Sequence, residues 1–167
     1  MKPAEASLPS NTEVLVKRSF DASAKLVWRA YMEPDLMRRW CCGMPGWSMP
    51  ICEMDMRVGG KYRWRWRSDD NSQEFGFFGE YSEVEAPARM IAAEYYDPGT
   101  MGGAMDASSP TINQTSFSEK DGITTVVTLL KYVSKEARDA AVSTGMTDGM
   151  ETSYARLDTL VAEQQGG

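Results

Sequence analysis

Histidine is missing altogether from the 167 residues. Its absence removes the commonest protein ligand for transition metals and the side chain best suited to proton transfer near neutral pH. Cysteine is scarce, with three in the chain, and Cys41 and Cys42 are adjacent, too close for a relaxed disulfide. Reduced thiols are expected, and an idle pair rather than a redox couple, because no histidine or resolving partner is in view. Positive charge is in deficit: 18 Lys and Arg stand against 24 Asp and Glu, a formal net charge of −6. Nucleic-acid binders carry a basic stripe that replaces counterions on phosphates, so no nucleic-acid partner is expected. No apolar run approaches the length of a membrane span, and Met1 to Thr12 has no apolar signal core. No membrane insertion is therefore expected, and a cytoplasmic location is the default. Neither a phosphate loop nor a dinucleotide fingerprint occurs, and no cofactor is expected.

What is there suits one soluble domain. The apolar share is 42% and the charged share 25%, and a chain of this length buries roughly 70% of the surface its unfolded form exposes. Residues 1–12 read as a flexible leader, and residues 13–164 as a single domain. The organising stretch lies near the C-terminus, where Met146, Met150, Tyr154, Leu157, Leu160 and Val161 recur at helical spacing. Asp148, Glu151, Thr152, Arg156, Asp158 and Glu163 fall on the opposite, wet side. Gly149 and Ser153 leave the first half of the apolar face narrow, whereas the half from Leu157 onward is filled. Either the narrow half roofs a cavity, or its small residues let the helix approach a strand closely.

Before that helix the chain alternates. Glu13 to Phe20 predicts a strand, Asp21 or Ser23 caps a short helix, and Pro34 breaks it and starts a second. Between Trp47 and Val84 the period is two, with turns at Gly59-Gly60 and Asp69 to Ser72, which predicts an antiparallel meander. Tyr62, Trp64 and Trp66 share one face and Arg63, Arg65 and Arg67 the other; an alternating strand with a wet basic face accounts for this without nucleic acid. Cys52, Met54 and Met56 share a face in the preceding strand, and Phe75, Phe77, Gly79 and Tyr81 do so in the next. Met90 to Tyr96 is a fifth strand. Asp97 to Pro110 is an aperiodic loop, either a lid or tolerated surface. Thr111 to Glu119 and Ile123 to Val133 close a last hairpin, and Ser134 caps a helix before Gly145. Seven antiparallel strands and one long helix bury their apolar faces together if the sheet curls around the helix, an α+β architecture.

The narrow half of the final helix would then face Met44, Trp47, Met54, Met56, Trp64, Trp66 and Phe77, together with Tyr81, Tyr95, Thr128 and Leu130. Met146, Met150 and Tyr154 of the helix complete this candidate lining of a ligand site. Mostly apolar linings with a few hydroxyls are what small-molecule pockets use, and methionine adds adaptability. Each of these residues could equally be ordinary core. Catalysis is disfavoured: Glu53 and Asp55 fall in the outward register, and Glu94 lies opposite Tyr95, which is taken as inward.

Four segments also carry a family resemblance: Trp40 to Gly46, Glu53 to Trp64 (EMDMRVGGKYRW), Gly79 to Arg89, and Ser134 to Leu160 with GMTDGM at its centre. Taken in order they resemble the activator-of-heat-shock-protein-90-ATPase-like family, a branch of the START-like (SRPBCC) superfamily, over about Glu13 to Ala162. The resemblance implies the helix-grip fold, a seven-stranded curved sheet holding a long C-terminal helix with a hydrophobic tunnel between them. Relatives often place an aromatic residue after the equivalent of Trp40; here it is Cys41, which would widen that end. The leading expectation is a binding protein for a small apolar or aromatic molecule, monomeric or a homodimer. The alternatives are a cyclase- or hydrolase-type enzyme acting in the same tunnel, and a chaperone-interacting module, which the residues themselves do not support.

Overall fold

Val14, Val16, Arg18 and Phe20 alternate along one strand and are all buried on the same face, and the rest of the molecule is laid out against that face. The structure, a computed structural model, describes residues 1–41, 45–101 and 105–166. In chain order the elements are β1 (Glu5–Ser7), β2 (Glu13–Phe20), α1 (Ala24–Met32), α2 (Pro34–Trp40), β3 (Trp47–Met54) and β4 (Lys61–Ser68). There follow β5 (Glu74–Glu85), β6 (Arg89–Asp97), β7 (Thr111–Lys120), β8 (Ile123–Lys131), α3 (Lys135–Ser143) and α4 (Met146–Gly166).

The strands form one antiparallel sheet in the order β1-β2-β8-β7-β6-β5-β4-β3, an α+β helix-grip arrangement in which α4 packs against the sheet. Among the described residues eight strands stand where seven were expected. The addition is β1, inside the stretch read as leader, whose three exposed residues carry no alternation. It forms because the outer edge of β2 offers unpaired backbone groups, and Glu5, Ala6 and Ser7 take them up opposite Lys17, Val16 and Leu15.

Local chemistry places the helices. The Ser23 hydroxyl accepts from the Leu26 amide at 3.2 Å and starts α1, Pro34 begins α2, and the Ser134 hydroxyl accepts from the Ala137 amide at 3.0 Å to start α3. Gly145 at φ +80° turns the chain between α3 and α4, a conformation that a side chain disfavours. The platform of α1 and α2 is tied by the Trp40 indole, which donates to the Ala30 carbonyl at 2.9 Å and stacks on Tyr154 of α4. Leu157, Leu160 and Val161 are buried together with Val14, Val16 and Val126, so the second half of α4 is packed solid.

Two bulges correct the simple alternation. The register of β5 against β6 shifts between Tyr81 and Glu83, so Ser82 is the extra residue and Val84 returns to the core side opposite Met90. A second shift, between Ser48 and Ile51, bends β3.

Glu151 and Asp158 were expected on the wet side of α4. The structure instead turns them toward Arg18, which is only 3% exposed. The Arg18 guanidinium donates to Glu151 at 2.9 Å and to Asp158 at 2.8 Å, and lies over the Phe20 ring. A charge this buried demands counterions, and two carboxylates seven residues apart on one helix supply them. Burial opposes the charge on Arg18, yet the two carboxylates outweigh it and raise its pKa.

For Glu151, burial alone would raise the carboxyl, but the Arg18 hydrogen bond and the Ala4 amide hold it below its ordinary range. A carboxylate with a lowered folded value stabilises the protein above its unfolded pKa of about 4.3. That contribution is lost as pH falls through the lowered folded value. Arg18→Met is expected to cost about 2–3 kcal/mol, less than a fully buried broken pair, because both carboxylates keep contact with water. Denaturant midpoints measured between about pH 7 and about pH 3 should also show a shallower acid limb in the variant than in the parent.

Candidate ligand-binding site

Where α4 is narrow, it does not fill the space above the sheet. A cavity of about 620 Å³ lies there, roofed by Gly145, Met146, Gly149, Met150, Ser153 and Tyr154, with no contribution from Leu157 onward. At Gly149 a Cβ atom would have no neighbour within 4 Å, so the missing side chain corresponds to open space rather than to a tight helix–strand crossing.

Aromatic rings that brace one another form the far wall. Trp66 stacks on Phe75 at 5.3 Å and meets Phe77 edge-on at 6.0 Å, while Trp47 meets Phe75 at 5.5 Å and Phe77 meets Tyr96 at 5.5 Å. The Trp66 indole N–H is anchored by the Cys41 carbonyl at 3.1 Å. Such interlocked rings set the shape of the space before any guest arrives. Met101, Met105, Asp106, Ser109 and Pro110, from the loop between β6 and β7, also reach the lining.

The polar centre of the cavity is built by a glycine. Across the sheet Tyr62 of β4 pairs with Gly79 of β5, and Gly79 pairs with Glu94 of β6, so the three lie in one cross-strand row on the inner face. With no side chain at Gly79, the Tyr62 phenol lies across it and donates to Glu94 Oε2 at 2.7 Å. A Cβ at Gly79 would come within 2.6 Å of that phenol oxygen. Asn113 of β7 gives Glu94 a second hydrogen bond. Burial lifts the Glu94 carboxyl above its ordinary range, and the two hydrogen bonds pull it part of the way back. Burial, followed by the nearby Glu94 charge, raises the pKa of Tyr62, Tyr81 and Tyr132, which therefore stay neutral donors at ordinary pH. The Tyr132 hydroxyl reaches Met146 Sδ at 3.4 Å, linking β8's end to the roof.

Of the residues the sequence proposed for the lining, Trp47, Trp64, Trp66, Phe77 and Tyr81 are brought together around this space, as are Thr128, Leu130, Met146, Met150 and Tyr154. Met54 and Met56 pack against the core but do not reach the cavity: Trp47 at the start of β3 lines it, whereas Met54 is the last residue of that strand and Met56 lies beyond it. Met44 and Cys42 lie outside the described residues. Tyr95 points the other way: it pairs with Phe78 and stacks on it at 5.3 Å on the outer face.

The alternation of β6 is therefore opposite to the one expected. Met90, Ala92, Glu94 and Tyr96 face inward, and Glu94, expected in solvent, is the cavity's carboxylate. The signal was available in Met90 and Ala92, which stand four and two residues before Glu94. It was masked by the adjacent tyrosines at 95 and 96 and by the cost of placing an acid indoors. Burial, partly offset by Arg38, pushes the Cys52 thiol up to about 11. Among the described residues no group of three or more Cys, Asp or Glu is placed to hold a metal, and no helix is long and apolar enough to cross a membrane.

Comparison with curated proteins returns no match. Solved structures do match. A protein from Rhodobacter sphaeroides is 26% identical with a TM-score of 0.86, over 97% of this chain and 99% of that one. One from Mycobacterium smegmatis is 20% identical with a TM-score of 0.81, over 95% and 97%. One from Nitrosomonas europaea is 19% identical with a TM-score of 0.80, over 96% and 100%. The last two likenesses speak to the fold alone. The family model for activator of Hsp90 ATPase homolog 1-like proteins matches residues 21–162, from the first helix through the gripping one, and the chain belongs to that family.

Proposed function

We propose that this is a cytoplasmic binding protein for a small, largely apolar or aromatic molecule, held without a cofactor between the narrow half of α4 and the sheet. The observation that carries this reading is the cavity of about 620 Å³, which falls within the range of roughly 300–1,000 Å³ typical of small-molecule sites. Its composition supports the same reading: braced aromatic walls, adaptable methionines in the roof, and a few polar groups gathered around Glu94. The ten lining residues named above from the sequence are the proposed contacts, joined by Tyr62, Glu94 and Tyr96.

Native mass spectrometry of freshly purified protein is expected to reveal a retained small molecule. Gly149→Leu should abolish retention while leaving the fold at least as stable. Leucine exceeds glycine in helix propensity by about 0.8 kcal/mol, and here its side chain enters empty space. Loss of the guest together with a raised melting temperature would separate cavity filling from unfolding. Equal retention by parent and variant would sink the reading.

The Tyr62–Glu94 pair also favours a second reading, an enzyme that uses a carboxyl with a raised pKa as acid or base beside a phenol. On this reading a guest incubated with the protein changes mass over time, and Tyr62→Phe slows that change by about tenfold or more without displacing the guest. An unchanged guest excludes catalysis and leaves the carrier reading standing.

A further inference from the structure

The lining is one-sided in charge. Among the described residues around the cavity the ionisable acids are Glu94 and Asp106, and there is neither a lysine nor an arginine. The ion pairs of the described residues leave Glu94 out: its hydrogen bonds come from the neutral Tyr62 and Asn113. A carboxylate held inside protein without a counter-cation is costly, and the fold places no obligatory reason for it there, since Gly79 is what makes room for the pair. The aromatic rings around it add to the asymmetry. Tyr62 lies 4.5 Å from Trp64 and 5.0 Å from Tyr81, ring centre to ring centre, so electron-rich faces crowd the same end of the cavity.

We infer that the molecule carried in this cavity is an organic cation, an apolar or aromatic body bearing an ammonium group that seats against Glu94 among Tyr62, Tyr81 and Tyr132. This rests on the carrier reading and names its ligand class. Three features point the same way. A carboxylate offers about four acceptor positions, and two donors engage Glu94, leaving capacity for a third hydrogen bond from within the cavity. A desolvated ammonium gains both a charge-assisted hydrogen bond and cation–π attraction in such a setting. The described lining gives an anion no cationic partner, so a fatty acid or an aryl carboxylate would bring a second negative charge toward Glu94.

The titratable groups facing Glu94 are Tyr62 from β4, Tyr81 from β5 and Tyr132 beyond β8, with the neutral Asn113 from β7. None of these phenols ionises in the ordinary range. Affinity for a cation therefore follows the ionisation of Glu94 and weakens as pH falls through its value in the complex. A neutral acceptor seated on protonated Glu94 would behave in the opposite sense.

Calorimetric titration of the intact protein with phenylbutylamine, phenylbutanol and phenylbutyrate tests this, because the three share a body and differ in headgroup. The amine is expected to bind about tenfold or more tightly than the alcohol, with the carboxylate weakest. Glu94→Gln should erase the amine's preference over the alcohol, both ligands being titrated into the same variant. An alcohol or carboxylate that binds as well as the amine, and is excluded by Gly149→Leu, overturns the cation assignment and leaves the carrier reading intact. Failure of all three to bind overturns both.

Discussion

The contact on which the architecture turns is the one between Arg18 and α4. A long helix lying on an apolar sheet can slide along its axis at little cost, because methyl groups accept many neighbours. A guanidinium that must meet two carboxylates cannot. Glu151 and Asp158 stand two turns apart, so a single buried cation on β2 fixes both the axial position and the rotation of α4. Glu151 also accepts from the Ala4 amide, which brings the extra strand β1 into the same junction. The pin sits at the boundary between the two halves of the helix. Beyond it Leu157, Leu160 and Val161 are buried in the core; before it Gly149 faces open space and Ser153 lines the cavity.

Holding one half of a helix tightly is what permits the other half to stay lifted. A helix packed only through its small residues would settle onto the sheet and close the gap. The solid core from Leu157 onward, the stacking of Trp40 on Tyr154 and the Arg18 pin together set the height of the roof. The braced rings of β4 and β5 keep the floor from rising to meet it. The space is thus a consequence of rigid surroundings, its volume set both by residues that do not line it, Arg18 and the Leu157 core, and by the braced rings that do.

Inside, Gly79 does for the chemistry what Gly149 does for the volume. Placed between Tyr62 and Glu94 in a cross-strand row, it lets a phenol and a carboxyl meet over the sheet surface, where any side chain would hold them apart. The same device recurs on the opposite face, where Gly76 lies between Arg65 and Asp97 and their side chains meet across it. One pair is charged and faces outward; the other is uncompensated and faces the cavity. That difference in partner, rather than in backbone, distinguishes a surface ion pair from a candidate recognition centre.

Periodicity and punctuation alone determined the element order from β2 onward, the caps at Ser23 and Ser134, the inward set Tyr62, Trp64 and Trp66, and the tapering of the last helix, because these depend on neighbours within a few residues. Besides β1, which forms only on the edge that β2 offers, three things were decided only by tertiary structure. Glu151 and Asp158 left the wet face because a buried arginine on a distant strand required them. Tyr95 and Glu94 exchanged sides because pairing with Phe78 and Gly79 sets the register of β6, and two adjacent tyrosines give alternation nothing to choose between. Met54 and Met56 fell outside the lining, although Trp47 at the other end of β3 reaches it, because where along a strand the cavity lies is invisible to alternation. In each case the deciding partner lies far along the chain, and burial of charge or choice of face is a property of the pair rather than of either residue.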